Sequence, residues 1–190
     1  MTAGVRAAIL GRRSVGRVAP DPLPRALVAE LIEAAVHAPN HHLTHPWRFV
    51  ALAGDARRAV GEAHARAVAR MRPGHPPAGL EKEAARLERA PVVIACAVAG
   101  APGDPVRARE DRDAVAAGVQ NLLLAAHARG LAAIWRTGAM ADEPEVRAAL
   151  GLGEHDALVG MVYVGRPLDG APPPPPARPH VDAVTDWRGW

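Results

Sequence analysis

Pro91-Val92-Val93-Ile94-Ala95-Cys96-Ala97-Val98 is apolar at every position. It is too short to cross a membrane, is rich in β-branched residues and has no alternation of polar and apolar positions. That pattern predicts a strand covered on both faces, central in a sheet. Working outward, Phe49–Ala53, Ala132–Trp135 and Leu158–Val164 read as three further short strands. Helical patterns separate them irregularly. Val5–Leu10 reads as a short helix stopped by Gly11. Asp21-Pro22-Leu23-Pro24 is a turn, with Pro24 suited to the first turn of the next helix. Leu27, Val28, Leu31, Ile32 and Ala35 recur at helical spacing, and Ala38-Pro39 ends that stripe. Gly54-Asp55 opens an Ala/Arg helix reaching Arg72, and Leu80–Arg89 reads as a charged helix. Asp113–Arg129 carries Val115, Val119, Leu122, Leu123 and Ala126 on one face, with Gly130 as a C-cap. Asp142 and Glu145 resemble a capping box for a last helix, which has Pro144 early in it and ends at Gly151. The expected architecture is one α+β domain over residues 1–170, a small sheet flanked by helices. Residues 171–190 form an arm of the same domain. The arm holds the extended stretch Pro172–Pro176 and ends in Trp187 and Trp190. Rings of that size bury about 150–250 Å² each, so the arm is expected to cover a second subunit, the alternative being its own chain.

The composition narrows the function classes. The chain has 190 residues, 49% of them hydrophobic and only 3% aromatic, so its core must be aliphatic. The most apolar run, near Leu122–Ala126, is bounded by Arg112, His127 and Arg129, and no transmembrane helix fits. The first residues lack a signal-like apolar stretch, which makes the cytoplasm the default expectation. Cys96 is the only cysteine; disulfide scaffolds and Cys-rich zinc sites are excluded, and its apolar surroundings predict a buried small hydrophobe. The sequence pI is about 9.9, yet the formal charge is only +3. One of the 23 basic residues is lysine, Lys82, so arginine sets the pI. These arginines are interspersed with acids and give no block of the kind that grips nucleic acid. Ser14 is the only serine, and Arg13-Ser14-Val15 is not the elbow of a serine hydrolase. There is no G-x-G-x-x-G, P-loop or calcium loop.

Three groups of residues could carry chemistry. Arg12-Arg13-Ser14, with Arg17 three further on, could hold a phosphate through charge-assisted and bidentate bonds; it would also suit an exposed turn. His37, His41, His42 and His45 crowd one short stretch and invite a metal reading. Against it, Pro39 breaks any helix between His37 and His41, and no acid lies from Val36 through Val50 to complete a triad. Solvated histidines, or donors to a polar ligand, are the plainer readings. Ile134-Trp135-Arg136-Thr137-Gly138 runs a strand out into a turn that can offer backbone N–H groups, an apolar plane and a cation to a flat ligand. A core tryptophan at a strand end is the alternative.

Taken together, the chain resembles the nitroreductase family of FMN-dependent oxidoreductases, above all its small NAD(P)H nitroreductase branch. The stretches that carry the resemblance are Arg12-Arg13-Ser14, Ala38–Phe49, Gln120–Ala126, Ile134–Gly138 and Gly160–Gly165, in the family's order. The resemblance implies a nitroreductase-like fold and a homodimer with two FMN sites at the subunit interface. It also implies a C-terminal arm extending over the partner. Arg12, Arg13 and Ser14 would contact FMN, as would His37 and His41, together with Trp135, Arg136 and Thr137. His45 stands where the family often has glutamine. A late basic residue near the phosphate would be Arg166 or Arg178. The implied activity passes electrons from NAD(P)H through the flavin to a nitroaromatic, quinone or similar small-molecule acceptor. Such chemistry is the cofactor's, so no catalytic side chain and no metal are expected. The protein must bind a phosphate dianion, stabilise negative charge on the ring and leave one ring face open to donor and acceptor in turn, which gives ping-pong kinetics. A flavin-storing protein without turnover and a His-cluster metal protein are the alternatives, and neither nucleic acid nor membrane is an expected partner.

Overall fold

The computed structural model describes residues 3–100, 103–138, 140, 143–168, 174 and 176–190. Four strands form one antiparallel sheet: β1 (Trp47–Ala53), β2 (Val92–Val98), β3 (Ala132–Arg136) and β4 (Ala157–Gly165), in the order β1-β2-β4-β3. The apolar run quoted above is β2, inside the sheet and buried along its whole length. Its side chains alternate between two cores. Val92, Ile94, Cys96 and Val98 join Val28 and Leu31 of α2 (Arg25–Val36) and Val115, Val119 and Leu122 of α5 (Pro105–Ala128). Val93, Ala95 and Ala97 face Val60 of α3 (Asp55–Met71), Leu87, and Val146 of the short helix Pro144–Ala149. Alternation along a strand is what lets one sheet serve both layers.

A bulge interrupts the β2–β4 ladder. Cys96 pairs with Gly160 and Ala97 with Leu158, leaving Val159 as the extra residue. Such an insertion re-aims the following side chains, and here Leu158 and Met161 end on the same core. On the outer face of that core, α4 (Pro77–Ala84) lies so close to α3 that a Cβ on Gly61 would fall 1.8 Å from the Ala84 carbonyl oxygen.

Several boundaries differ from the expectations. α5 begins at Pro105, because Asp104 caps it with a carboxylate that accepts from the amides of Val106 and Arg107 at 3.0 and 3.1 Å. Those first turns are charged and carry no apolar stripe, so periodicity does not reveal them. Leu80–Arg89 divides into the end of α4 and a 3-10 helix, Ala85–Arg89. Pro24 is the extended N-cap of α2, one residue before the first turn. Gly130 closes α5 with φ 69 as expected. Asp142 and most of Pro172–Pro176 lie outside the described residues, as does the junction between the expected domain and its arm.

Candidate functional site

α1 (Ala3–Gly11) ends against α5, where a Cβ on Gly11 would lie 3.0 Å from Nε2 of His127. The chain then runs along the outer edge of β3. Ser14 bridges Ala133 in parallel, the Val15 amide donates to the Ala133 carbonyl at 3.0 Å, and the Ala19 amide donates to the Arg166 carbonyl at 2.9 Å. This stitching sets Gly16 beneath Arg136, whose Nη2 would be 3.3 Å from a Cβ at that position. The Arg136 guanidinium also lies over the Tyr163 ring, 5.6 Å from its centroid, within cation–π reach. The Arg12-Arg13-Ser14 and Trp135-Arg136-Thr137 groups, far apart in sequence, therefore share one edge of the sheet.

The two neighbouring arginines differ in role. Arg13 Nη1 donates to the carbonyls of Leu10 at 2.7 Å and Arg12 at 2.9 Å, closing the C-terminal end of α1, where cations are favoured. Its Nε is buried without a hydrogen-bond partner. Arg12 keeps only a long bond, 3.5 Å, to the Ser14 hydroxyl. Burial, then the positive charges of Arg178 and Arg13, push the Arg12 guanidinium below its ordinary value. Arg178 of the C-terminal arm thus stands close enough to repel it. Among the described residues, no carboxylate pairs with Arg12, Arg13 or Arg178. Like charges gathered without a counter-ion have the chemistry to hold an anion.

A cleft of about 500 Å³ opens beside this edge. Trp135, Arg136, Thr137 and Gly138 line it from the end of β3, Met161 and Tyr163 from β4, and His64 from α3. The indole Nε1 of Trp135 is buried and has no hydrogen-bond partner. Gly160, in the bulge, makes room for it. At the far wall the His64 Nε2 lies 3.1 Å from Glu83, whose carboxylate accepts from Arg86 at 2.7 Å. Burial pushes the His64 imidazole below its ordinary value, against the pull of Glu83. Burial works to raise the Glu83 carboxyl, but its bonds to Arg86 and His64 outweigh this and hold it low. Burial also raises the Tyr163 phenol.

His37 and His41 lie elsewhere. His37 caps the C-terminus of α2 and lines a shallow groove with Glu33 and Arg129, while His41 begins the 3-10 turn His41–Leu43. Neither lines the cleft. Residue types and spacing did not single out His64, Glu83 or Arg86, and Gly160 entered only as the first residue of a stretch that carries the resemblance. A lone histidine on an apolar helix face carries no separate signal, and the bulge that gives Gly160 its meaning is a property of strand pairing.

A family profile described as the nitroreductase family matches residues 9–166. This chain belongs to the nitroreductase family. YdjA of Escherichia coli is 31% identical over 163 residues, 84% of this chain and 86% of that protein. A nitroreductase-like family protein from Bacillus cereus superposes with a TM-score of 0.84 at 25% identity, covering 100% of this chain and 97% of the other. NfnB of Sphigopyxis sp. strain HMH, an FMN and NADPH-dependent nitroreductase, superposes at 0.78 with 22% identity and covers 100% of both chains. The sheet with its two helical layers is the nitroreductase fold. The family's match begins at Ile9, so it takes in both the arginine-bearing segment and the Trp135 turn. Among the described residues, no helix is long and apolar enough to cross a membrane.

Proposed function

We propose that this nitroreductase-family protein is an FMN-dependent oxidoreductase that takes electrons from NAD(P)H and delivers them to a nitroaromatic, quinone or similar small acceptor. The observation that carries the reading is the uncompensated trio Arg12, Arg13 and Arg178 beside the Trp135 turn. The fit to the cofactor is chemical. A phosphate dianion would supply the missing counter-charge, with the Ser14 hydroxyl beside it as a further donor. Arg178 suits the late basic position better than Arg166, whose backbone serves the Ala19 ladder bond. A flat ring system suits the cleft, whose wall carries the Trp135 indole and the Arg136 guanidinium. FMN supplies the two-electron chemistry when bound, and the protein supplies binding, orientation and charge.

In that arrangement Arg12, Arg178 and Ser14 hold the phosphate, and Arg13 keeps the end of α1 in place. Trp135, Arg136 and Thr137 border the ring, and a cation there favours negative charge growing on reduction. One open ring face visited by donor and acceptor in turn gives ping-pong kinetics. His37 and His41 sit outside the cleft of their own chain, so they serve the cofactor of a partner subunit in a homodimer. The arm fits that assembly: Trp190 is 99% exposed and Trp187 53%, with the two rings set edge to face, their centroids 6.5 Å apart. NfnB, with the same fold, is FMN and NADPH-dependent, which supports the choice of cofactor and reductant.

The purified protein tests this directly. It should be yellow, with flavin absorbance that bleaches anaerobically under NADH or NADPH and returns with an acceptor. A colourless protein that cannot be reconstituted with FMN rejects the proposal.

A further inference from the structure

Away from the cleft, three metal-ligating side chains converge. His41 and His42 lie in the turn after α2, and Glu110 lies on α5; their ligating atoms are all within 4.8 Å of one another. Neighbouring residues normally point apart, by about 100° on a helix and about 180° on a strand. Here His42 is left-handed, with φ 57 and ψ 13, and this folds the two imidazoles onto one side, edge to face with centroids 3.9 Å apart. Leu43 and His45 are left-handed as well, at φ 50 and 49. Non-glycine residues hold such conformations only where the surroundings over-determine them.

The surroundings do so. The Asn40 side chain accepts from the His45 amide at 2.8 Å and donates to the Thr44 hydroxyl at 2.9 Å. Thr44 in turn donates to the buried carboxylate of Asp111, which Arg107 approaches to 3.8 Å. Asp111 adjoins Glu110, so the bond that anchors the turn to α5 also brings Glu110 up to the histidines. Among the described residues, no cation pairs with the half-buried Glu110, and neither His41 nor His42 has a side-chain hydrogen bond.

We propose that His41, His42 and Glu110 form a binding site for a divalent first-row transition metal, zinc fitting best. Two imidazoles and a carboxylate, with water in the fourth position, are a zinc ligand set. Around a tetrahedral ion the ligands stand about 3.4 Å apart, given zinc–ligand bonds of about 2.0–2.2 Å. Rotation of the two exposed histidines closes the remaining distance. The sequence places no acid near the histidines; the fold supplies one from α5. The site shares His41 with the flavin contact proposed above, but His42 and Glu110 have no part in that contact.

Zinc chloride titrated into chelator-stripped protein, in competition with a chromogenic chelator, tests the site, both with and without added FMN. One zinc per chain should bind in at least one of the two forms. Affinity should fall about tenfold or more, the scale on which even a ligand's supporting partner matters, in both His42→Asn and Glu110→Gln. Asparagine tolerates the left-handed backbone, and circular dichroism matching the parent protein verifies the fold. His180→Ala, whose imidazole meets Asp182 on the C-terminal arm, should bind zinc as the parent does. No zinc binding in either form, or unchanged affinity in either variant, overturns the site. Flavin content is read separately by absorbance, so failure of the cofactor proposal leaves the metal result standing.

Discussion

Gly160 and Trp135 occupy one space: a Cβ on Gly160 would lie 2.3 Å from the indole Nε1 and 2.7 Å from the Arg136 carbonyl oxygen. The glycine's φ of 156 and its place in the β4 bulge keep the strand clear of the ring. Gly160→Ala must therefore push the tryptophan or the strand aside. Overpacking of this kind costs about 1–3 kcal/mol. Urea unfolding should show that loss, and flavin retention should fall with it because the displaced ring borders the proposed cofactor.

Arg12 is less committed than Arg13: its side chain makes one long bond, 3.5 Å to the Ser14 hydroxyl, where Arg13 makes two short ones to carbonyls. Arg12→Ala should weaken FMN binding by about 1.5–3 kcal/mol, the range for hydrogen bonds to charged groups. Fluorescence titration of flavin-free protein measures it. Arg178→Ala should weaken binding in the same direction and Arg166→Ala should not. The reverse pattern would move the phosphate assignment to Arg166.

Stability should depend on pH through His64. Its folded value lies below the ordinary 6.5, chiefly through burial, so the unfolded chain takes up the proton first as pH falls. The neutral imidazole's contribution is fully present above about pH 6.5 and declines below it. Urea midpoints measured from pH 7.5 down to 5.5 should slope downward. His64→Gln, which keeps a side-chain amide but cannot titrate, should flatten that part of the curve; a slope unchanged in the variant would assign it elsewhere.

Cys96 should be inert in the folded protein. It is fully buried, and burial pushes its thiol up to about 12. The thiolate is the reactive form, so a disulfide reagent at pH 8 should label Cys96 only after denaturant unfolds the chain. Prompt labelling of the native protein would contradict the burial.

Much of the fold was legible because burial leaves a direct imprint on composition. Val92–Val98 could hardly be anything but an interior strand, and the Val115, Val119, Leu122 stripe could only be a helix face. The start of α5 was hidden because its exposed first turns owe their shape to the Asp104 cap and to length, not to an apolar pattern. The site was legible in pieces. Arg12-Arg13-Ser14 and Trp135-Arg136-Thr137 stand out by residue type, but their union depends on backbone bonds between Val15 and Ala133, and backbone groups are identical in every residue. The choice of Arg178 over Arg166 depends on the course of an arm that no local pattern fixes. Glu110 is one acid among 20 and gains meaning only from the turn that Asp111 and Thr44 bring to it.

The strip of chain from Ser14 to Ala19 has a further effect on the molecule's behaviour in a crowded solution. A bare outer strand invites other chains to add to it, which is how sheets seed aggregates. With Val15 capping Ala133 and Ala19 capping Arg166, part of that rim is already taken. The same short segment that gathers positive charge thereby also blocks part of the sheet edge against pairing with stray strands, and trimming it would lay that edge bare.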